Sequence, residues 1–516
     1  MNENTNAELI DQAVSNATVN IDKNLEKILE TTPEKNSAKI IEDASTKIDL
    51  KIITEFCRRK GFVYQSSEIY GGYSAVFDFG PLGVLLKNNI EKAWRDHFMT
   101  CRTDTVEIEG AIFLHPKVWE ASGHIGGFSD LLVEDEVTNK RYRADHLIED
   151  AKVTLPASLN NGVEGDIIDN AGYLTTDQID SIIEAHNLKS PDGNNLSKAK
   201  MFNLLVKTHL GPVEDQSTVA YLKGESCQNI YVNFKQVSET TRKKIPFGIG
   251  QLGKAFRNEI TARQFLFRTR ELEQADMQFF IKPDKYLSDG DKTELQWYNY
   301  WKDYAWKFYS ERLGLNIDKL SWRQHNDDEK AFYASDAWDI QYNYESMGNK
   351  EIGGLHHRGT YDLDQHSKFS GQDLSYFDQE KSIRYNPVVI ETSLGLGRMF
   401  LAVMFDAYKV QKVSEGDERI ILALPANLAP YTYAILPLMK KDGLALKGQE
   451  LFLNLKKRGI SCDYDDAGSI GKRYRRQDEN GTPSCICIDY QTLEDGTVTI
   501  RNRDTMEQKR INISDL

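Results

Sequence analysis

Hydrophobic and polar positions repeat with two different periods along the chain, which predicts a mixture of helices and strands. In residues 292–313 aromatic side chains recur at helical spacing, so this segment is predicted to be a helix that faces a core. Residues 253–280 predict a β-hairpin, with a polar loop between two strands. In residues 387–404 an apolar strand is followed by a glycine-containing turn and an apolar helix. The last two segments also carry charged residues, which makes them the first candidates for a functional site.

The same pattern divides the chain into domains. Residues 1–46 are rich in Asn, Thr, Glu, Asp and Ser and are predicted to be a polar extension, with one short helical candidate at residues 21–29. Residues 47–415 form the predicted large domain, and the polar stretch at about 151–199 is an inserted subdomain or a long excursion. Residues 416–516 alternate strand and helix, which predicts an α/β domain.

Composition narrows the class of protein. The chain has 516 residues, enough for about three domains of ~150 residues each, and a formal net charge of −14. An acidic total argues against a general nucleic-acid coat, although a local basic patch can still bind RNA. Hydrophobic residues make up 40% of the chain, and no apolar run approaches the length of a spanning helix, so we expect no membrane partner.

The cysteines and the first residues bear on location. Six cysteines stand at positions 57, 101, 227, 462, 485 and 487, without a CxxC pair, so we expect reduced thiols and no zinc. The N-terminus has neither an apolar h-region nor an Arg-rich, acid-poor composition, which argues against a targeting signal. A cytoplasmic protein is the simplest interpretation.

Two glycine motifs imitate nucleotide-binding loops. Residues 248–255 nearly spell a P-loop, but Ala255 stands where Ser or Thr would bind Mg²⁺, and a strand-like segment follows instead of a helix. Gly395 and Gly397 lack the third glycine of a dinucleotide fingerprint, since Phe400 occupies its position. Neither a P-loop nor a Rossmann site is therefore predicted.

The hairpin and the strand–helix segment concentrate charge. Arg257 and Glu259 are two residues apart and share a face of the hairpin, which is costly unless a charged group binds there; an exposed salt-bridge ladder explains the pattern about equally well. Arg398 falls in the first turn of the second segment's helix, where a cation opposes the helix dipole. It is easier to explain if it meets an anion such as phosphate, the alternative being a surface arginine.

Together these segments resemble the signatures of class II aminoacyl-tRNA synthetases. FRNE at 256–259 is similar to motif 2, GLGR at 395–398 to motif 3, and GPLGVLLKNNIEKAW at 80–94, more loosely, to the dimer-forming motif 1. Further strings resemble glycyl-tRNA synthetases of the homodimeric type: HPKVWEASGH (115–124), RYRADHLIED (141–150), FRTREL (267–272), YDLDQH (361–366), ETSLGLGR (391–398) and SIGKRYRRQDENGTP (469–483). The resemblance runs from about residue 50 to the end, except for the insert.

The resemblance implies both a fold and a reaction. The fold is α+β: a class II catalytic core, made of an antiparallel sheet flanked by helices and carrying an insert, followed by a C-terminal mixed α/β anticodon-binding domain. The reaction is glycine–tRNA ligation for protein synthesis, in which glycine and ATP give glycyl-adenylate and pyrophosphate, and the glycyl group then passes to the 3′ end of tRNA(Gly). The implied partners are ATP, Mg²⁺, glycine, tRNA(Gly) and a second copy of the chain.

Site residues are carried over position by position. Arg257 and Arg398 are the catalytic candidates, expected at the α-phosphate and at the outer phosphates. Glu259 is expected to accept from the adenine amino group, and Glu351 to help hold Mg²⁺. The expected ATP-binding set is Arg257, Asn258, Glu259, Phe267, Arg268, Thr269, Arg270, Glu271, Leu272, Glu351, Ile352, Gly395, Leu396, Gly397 and Arg398.

Glycine must be recognised without a side chain. One methylene is worth only ~1–3 kcal/mol, so the site has to exclude a Cβ by crowding while carboxylates bind the ammonium. The expected glycine-binding set is Arg143, near the substrate carboxylate, with Glu225, Leu272, Glu273, Gln274, Ala275, Asp276, Glu391, Thr392, Ser393, Leu394 and Gly395. Candidate tRNA phosphate contacts are Lys472, Arg473, Arg475 and Arg476, with an exposed basic run as a nearly equal alternative.

The chain departs from the family pattern at three places. The family's RPETAQG is KGESCQN at 223–229, the phenylalanine expected to stack on adenine is Leu272, and an expected glutamate is Asp276, one methylene shorter. Our hypothesis is a weakened affinity for ATP or glycine without a change of reaction. Three rival functions stay open: a non-catalytic accessory subunit, a synthetase for alanine or serine, and a regulatory amino-acid sensor. The first has no need for the three charged motif residues together. Amino-acid-dependent pyrophosphate exchange distinguishes the second, and a sensor would bind glycine or ATP without charging tRNA.

Overall fold

The computed structural model describes residues 41–43 and 47–516, except 169–170, 173, 214, 261–263, 327–328 and 331–332. The helical candidate at residues 21–29 lies outside the described residues, as does most of the predicted polar extension.

The elements follow one another in a mixed order of helices and strands. The strands are β1 Ile41–Asp43, β2 Val63–Gln65, β3 Phe77–Phe79, β4 Thr105–Ile108, β5 Phe113–Leu114, β6 Ser129–Glu134, β7 Arg141–Arg143, β8 Lys200–Asn203, β9 Lys207–His209, β10 Val219–Leu222, β11 Phe247–Phe256, β12 Glu271–Ile281, β13 Leu320–Gln324, β14 Asp336–Asn343, β15 Asn349–Gly359, β16 Tyr376–Asp378, β17 Ile383–Tyr385, β18 Val388–Gly395, β19 Tyr408–Ser414, β20 Asp417–Leu422, β21 Tyr433–Pro437, β22 Cys462–Tyr464, β23 Ser484–Ile488, β24 Thr497–Asn502 and β25 Gln508–Asn512. The α-helices are α1 Leu50–Lys60, α2 Pro81–Arg95, α3 Pro116–Ala121, α4 His124–Gly127, α5 Ala144–Ala151, α6 Thr176–Ala185, α7 Cys227–Thr241, α8 Glu294–Lys307, α9 Tyr361–Ser370, α10 Leu396–Ala407, α11 Leu444–Lys457, α12 Ile470–Asn480 and α13 Tyr490–Asp495.

A seven-stranded sheet forms the centre of the chain, in the order β13-β14-β15-β18-β12-β11-β4. Its neighbours are antiparallel except β11 and β4, which run parallel. One face packs on α2, α8 and α10 through a large core that includes Trp94, Trp301 and Phe400, and the other face packs on α7 through Phe234 and Phe280. The predicted antiparallel sheet flanked by helices is therefore confirmed.

The aromatic segment forms the predicted core-facing helix, with revised ends. Helix α8 is capped at Thr293, whose side chain and that of Gln296 form a reciprocal capping box, and a π-helical turn at Phe308–Arg312 follows its last residue. Trp301 is fully buried, whereas Leu295 is 64% exposed. The rings therefore bury a single face of the helix, and Leu295 lies on the other.

The inserted unit is larger than its polar sequence indicates. Strands β6, β7 and β8 form a three-stranded sheet that shares a separate core with α5 and α6. That core includes Leu131, Val133 and Tyr142, all before the predicted start at residue 151. The apolar strand that opens the unit could not be distinguished by pattern from the strands of the large domain.

The C-terminal residues form the predicted mixed α/β unit. Its sheet has the order β22-β21-β23-β24-β25, with β21 parallel to both neighbours and the remaining pairs antiparallel. The boundary predicted at residues 415–416 falls inside a hairpin turn, since β19 and β20 pair with each other and with β1 in a separate sheet. In the described part of the chain no helix is long and apolar enough to cross a membrane.

Candidate active site

A cleft of about 220 Å³ opens where β12, β15 and β18 meet the loop between β11 and β12. Most of the predicted site residues line it. They are Glu225, Arg257, Glu259, Phe267, Arg268, Thr269, Leu272, Glu273, Gln274, Asp276, Glu351, Glu391, Ser393, Leu394, Gly395, Gly397 and Arg398.

The loop of the hairpin, and not its strands, carries the arginines. Strand β11 ends at Phe256 and β12 begins at Glu271, and the two pair residue for residue from that end. Arg257 therefore sits at the start of the loop, where its backbone N–H donates to Arg270 O at 2.8 Å. Its Nε donates to Gly224 O at 3.0 Å, and its guanidinium lies 5.1 Å from the centre of the Phe128 ring. Backbone and ring together aim this cation into the cleft.

Glu259 and Arg268 end in polar atoms that are buried without a hydrogen-bond partner among the described residues. These atoms are Glu259 Oε2 and Arg268 Nη1, which lie 4.0 Å apart. Burial lowers the pKa of Arg268, although the neighbouring Glu259 charge works against that shift. Buried polar groups are normally paired, so these two atoms are candidates for contact with a polar ligand.

Arg398 lines the same cleft. Strand β18 passes directly into α10 at Leu396, without the intervening turn that the two glycines predicted. A Cβ on Gly397 would lie 2.8 Å from Leu266 O, so the close approach of this backbone explains the glycine. The Arg398 guanidinium pairs with Glu351 at 2.8 Å and stacks 4.6 Å from the centre of the Phe267 ring.

Three carboxylates meet deeper in the cleft, from Glu225, Asp276 and Glu391. Asp276 on β12 stands opposite Ser393 on β18 and is 2% exposed. Its Oδ1 is buried with no hydrogen-bond partner in the described structure. Burial and then the charges of Glu391 and Glu225 raise the pKa of Asp276 well above its usual range. A bound ammonium would relieve this repulsion.

Glu391 is held ionised by residues that sequence reasoning missed. Its Oε2 accepts from Arg358 Nη1 at 3.1 Å and from His356 Nδ1 at 2.8 Å, and its Oε1 accepts from Gln278 at 2.7 Å. Burial would raise the pKa of Glu391, but Arg358 and His356 lower it to about 2. Arg358 is itself buried and fixed by two bonds to Asp362, of 2.8 and 3.0 Å.

Glu225 is held in a similar way. Its Oε1 lies 3.0 Å from His124 Nε2 and accepts from Cys227 Sγ at 3.0 Å and Gln228 Nε2 at 3.1 Å. Burial would raise the pKa of Glu225, yet the His124 imidazole keeps it well below its usual range. The missed His356 and Arg358 alternate on one strand, which is the period-two signal that could have found them.

Several predicted residues lie outside the cleft wall. Arg143, in the inserted unit, pairs with Asp130 at 2.8 Å and with Asp145, and lines an adjoining pocket together with Arg268 and Arg398. The rest do not line the cleft. Asn258 and Glu271 are exposed, Arg270 donates to Glu259 O, and Ala275, Ile352, Leu396 and Thr392 are buried. Glu273 touches the cleft but binds Lys87 at 2.8 Å.

The four basic candidates on α12 differ in exposure. Arg473 is buried and donates to Gly468 O at 2.7 Å, Arg475 pairs with Asp417, and Arg476 pairs with Asp465. Lys472 is exposed. Lys472 therefore presents its charge to solvent, whereas the Arg473 guanidinium is enclosed by protein.

The described residues hold no group of three or more His, Cys, Asp or Glu side chains arranged to hold a metal ion. Mg²⁺ in nucleotide sites commonly takes one or two carboxylates together with substrate phosphates. Glu351, with a side chain 45% exposed beside Arg398, fits such a role.

Comparison with known proteins agrees with this geometry. Residues 212–408 match the family described as tRNA synthetase class II core domain (G, H, P, S and T), and residues 432–516 match the anticodon binding domain family. Fold and site thus define a class II tRNA synthetase.

Curated relatives narrow the class further. The chain is 46% identical to the glycine–tRNA ligase of Treponema denticola over 471 residues, which cover 90% of this chain and 95% of the relative. It is 46% identical to that of Clostridium beijerinckii over 90% of this chain and 96% of the relative, and 43% identical to that of Borreliella burgdorferi strain B31 over 91% and 96%. The chain belongs to the glycine–tRNA ligase family.

Proposed function

We propose that this chain activates glycine with ATP and transfers it to the 3′ end of tRNA(Gly). One observation carries the proposal: the buried, unpartnered carboxylate of Asp276 lies in the same cleft as Arg257 and Arg398. Carboxylates and arginines in one cleft suit glycine, which carries both an ammonium and a carboxylate, bound next to the triphosphate of ATP. A site for a simple anion would have no use for the carboxylates, and a site for a cation would have no use for the arginines.

In the first step the glycine ammonium binds among Glu225, Asp276 and Glu391, which leaves the glycine carboxylate directed at the α-phosphate. One carboxylate oxygen attacks that phosphorus, and pyrophosphate departs with the electrons of the broken P–O bond. Arg257 stabilises the charge that gathers on the α-phosphate, and Arg398 binds the outer phosphates. Fixed cations contribute most when they need no reorientation, and contacts with protein already orient both guanidinium groups.

We assign the adenine base of ATP to Glu259 and Arg268, whose buried polar atoms have no hydrogen-bond partner among the described residues. Glu259 Oε2 accepts from the adenine amino group, and Arg268 closes the neighbouring side of the site. Glu351 would help hold Mg²⁺, which supplies positive charge to the phosphates when bound. The Phe267 ring, stacked against Arg398, forms the wall beside the nucleotide.

In the second step a ribose hydroxyl of the terminal adenosine attacks the glycyl carbonyl, and AMP leaves. The C-terminal unit binds the anticodon arm, and the exposed Lys472 is its first phosphate contact. Arg143, which lines the adjoining pocket with Arg268 and Arg398, is assigned to the terminal adenosine of the tRNA.

Assembly and location follow from the same proposal. A twofold homodimer through the motif 1 helix α2 would give particles of twice the 58.9 kDa chain mass in light scattering. All six cysteines are unpaired, which supports a reducing cytoplasmic setting.

Charging of tRNA(Gly) with labelled glycine tests the proposal. The wild type is expected to form acid-precipitable glycyl-tRNA that requires ATP, and Arg257→Gln is expected to lose at least about 100-fold in rate. Arg384→Gln, which alters an exposed ion pair outside the cleft, is the matched control and should charge normally. Charging that is absent in the wild type, or unaffected by Arg257→Gln, would contradict the proposed function.

A further inference from the structure

One wall of the acidic pocket is a cysteine. Cys227 opens α7, is 2% exposed, and lies against the cleft. Burial, and after it the charges of Glu225, Glu391 and Asp276, raise the pKa of its thiol well above the usual range. The sulfur therefore stays a neutral thiol, which can fill space and donate a hydrogen bond but does not act as a nucleophile.

The thiol touches the carboxylate that faces the substrate ammonium. Cys227 Sγ donates to Glu225 Oε1 at 3.0 Å, the same oxygen that His124 and Gln228 contact. Three contacts on a single oxygen fix the orientation of the carboxylate. The arrangement leaves the Cys227 sulfur beside the space enclosed by the three acids.

Asp276 lines the same space with its unpartnered Oδ1. An ammonium bound to this oxygen and to Glu225 would lie in the space that Cys227 also lines. Asp276 and Cys227 both differ in size from the residues of the family pattern. Asp276 is one methylene shorter than the expected glutamate, whereas Cys227 has a sulfur atom that the expected alanine lacks. The extra sulfur thus compensates for the lost methylene in a pocket that must stay cramped.

We propose that Cys227 is a specificity-determining residue, whose sulfur occupies the space that the Cβ of alanine or serine would need and whose thiol orients Glu225. The inference rests on the proposed function, because it assumes that glycine binds in this pocket. It assigns discrimination against a larger amino acid to one side chain that the catalytic phosphate chemistry does not use.

Amino-acid-dependent ATP–pyrophosphate exchange tests the inference with two single variants. Cys227→Ala removes the sulfur, so kcat/KM for alanine relative to glycine is expected to rise about tenfold or more. Cys227→Ser keeps a donor for Glu225, so its glycine KM should stay closer to that of the wild type than the KM of Cys227→Ala. Cys101→Ala, which removes a partly exposed thiol outside the cleft, should leave both values unchanged.

A double variant tests whether the sulfur of Cys227 compensates for the shorter side chain of Asp276. Asp276→Glu alone overfills the pocket and should raise the glycine KM about tenfold or more. Combined with Cys227→Ala it should recover much of both the glycine affinity and the discrimination, so the two effects should not add.

The outcomes separate this inference from the function itself. Wild-type exchange with glycine but an unchanged alanine-to-glycine ratio in both Cys227 variants would overturn the role of Cys227 and leave the function standing. Absence of glycine-dependent exchange in the wild type would overturn the function. Thermal unfolding accompanies every assay. If Cys227→Ala does not fold, Cys227→Ser decides, because its oxygen is smaller than sulfur and should also raise the alanine-to-glycine ratio.

Discussion

The Arg398 guanidinium is paired with the Glu351 carboxylate, with Nη1 and Oε2 2.8 Å apart. The arginine also donates through Nε to Phe267 O at 3.3 Å, so it is oriented before any nucleotide arrives. Because α10 begins directly at the end of β18, the cation reaches the cleft from a rigid strand–helix junction.

Removing the Glu351 charge should weaken ATP binding. Glu351→Gln loses a charge-assisted hydrogen bond worth about 1.5–3 kcal/mol, so the KM for ATP is expected to rise roughly 10- to 100-fold and to depend more steeply on Mg²⁺. Steady-state exchange at varied ATP and Mg²⁺ measures this. Glu345→Gln, which breaks an exposed pair with Lys319, is the control and should behave like the wild type.

Arg358 should be essential for both folding and glycine binding. Its removal leaves Glu391 and Asp362 buried without their cation, and breaking a buried pair costs about 3–5 kcal/mol. Arg358→Met is therefore expected to lower the melting temperature markedly and to abolish glycine-dependent exchange. Calorimetry against Arg384→Gln, a surface pair worth less than about 1 kcal/mol, provides the comparison. Equal melting temperatures in the two variants would contradict the buried network.

Glycine binding should lower the pKa of Asp276. Burial and the charges of Glu391 and Glu225 raise this pKa in the free site, and a bound ammonium favours the ionised carboxylate, so binding should release a proton at pH values near that pKa. The glycine KM should then fall as pH rises through the pKa of Asp276, while Glu391, with its pKa near 2, stays ionised throughout. Titration calorimetry in buffers of different ionisation enthalpy counts the proton. In Asp276→Asn no release is expected, and release that persists there would refute this assignment.

A methyl group at position 397 should damage the cleft. In Gly397→Ala the new Cβ would lie 2.8 Å from Leu266 O, which displaces the segment that carries Phe267. We expect kcat/KM for ATP to fall at least about tenfold. Gly471→Ala is the matched control, since a Cβ there meets nothing within 4 Å and the change should stabilise α12 by up to about 1 kcal/mol.

Local patterns were sufficient to predict part of this fold. The spacing of aromatic residues predicts α8, and the apolar run that ends in Glu391 and Ser393 predicts β18 and α10. These elements depend on residues that are close in sequence. The core of the inserted unit includes residues before the predicted start at about residue 151, because its first strand, β6, has the same apolar character as the strands around it. The hairpin and its polar loop are predicted by the pattern, but Arg257 and Glu259 lie in the loop and not on a strand, because charged alternation does not reveal where pairing stops.

Site residues that belong to a sequence motif could be predicted, whereas residues defined by contacts between distant parts of the chain could not. Arg257 and Arg398 share one cleft as expected, although 141 positions separate them in the chain. Arg358 carries no motif signal, because its role is to pair with Glu391 and Asp362. Only the folded structure brings these three residues together. Arg143 lies in the adjoining pocket because its unit is positioned by its own core, about which motif spacing carries no information.

Exchange of labelled pyrophosphate into ATP tests the central relationship most directly, since it requires both arginines and the acidic pocket to act on one adenylate. With the purified wild-type chain, exchange is expected to depend on millimolar or lower glycine, to be negligible with alanine or serine, and to be lost in both Arg257→Gln and Arg398→Gln. Exchange that is undetectable with glycine, or that survives when both arginines are replaced, would contradict a shared site for glycine and ATP in this cleft.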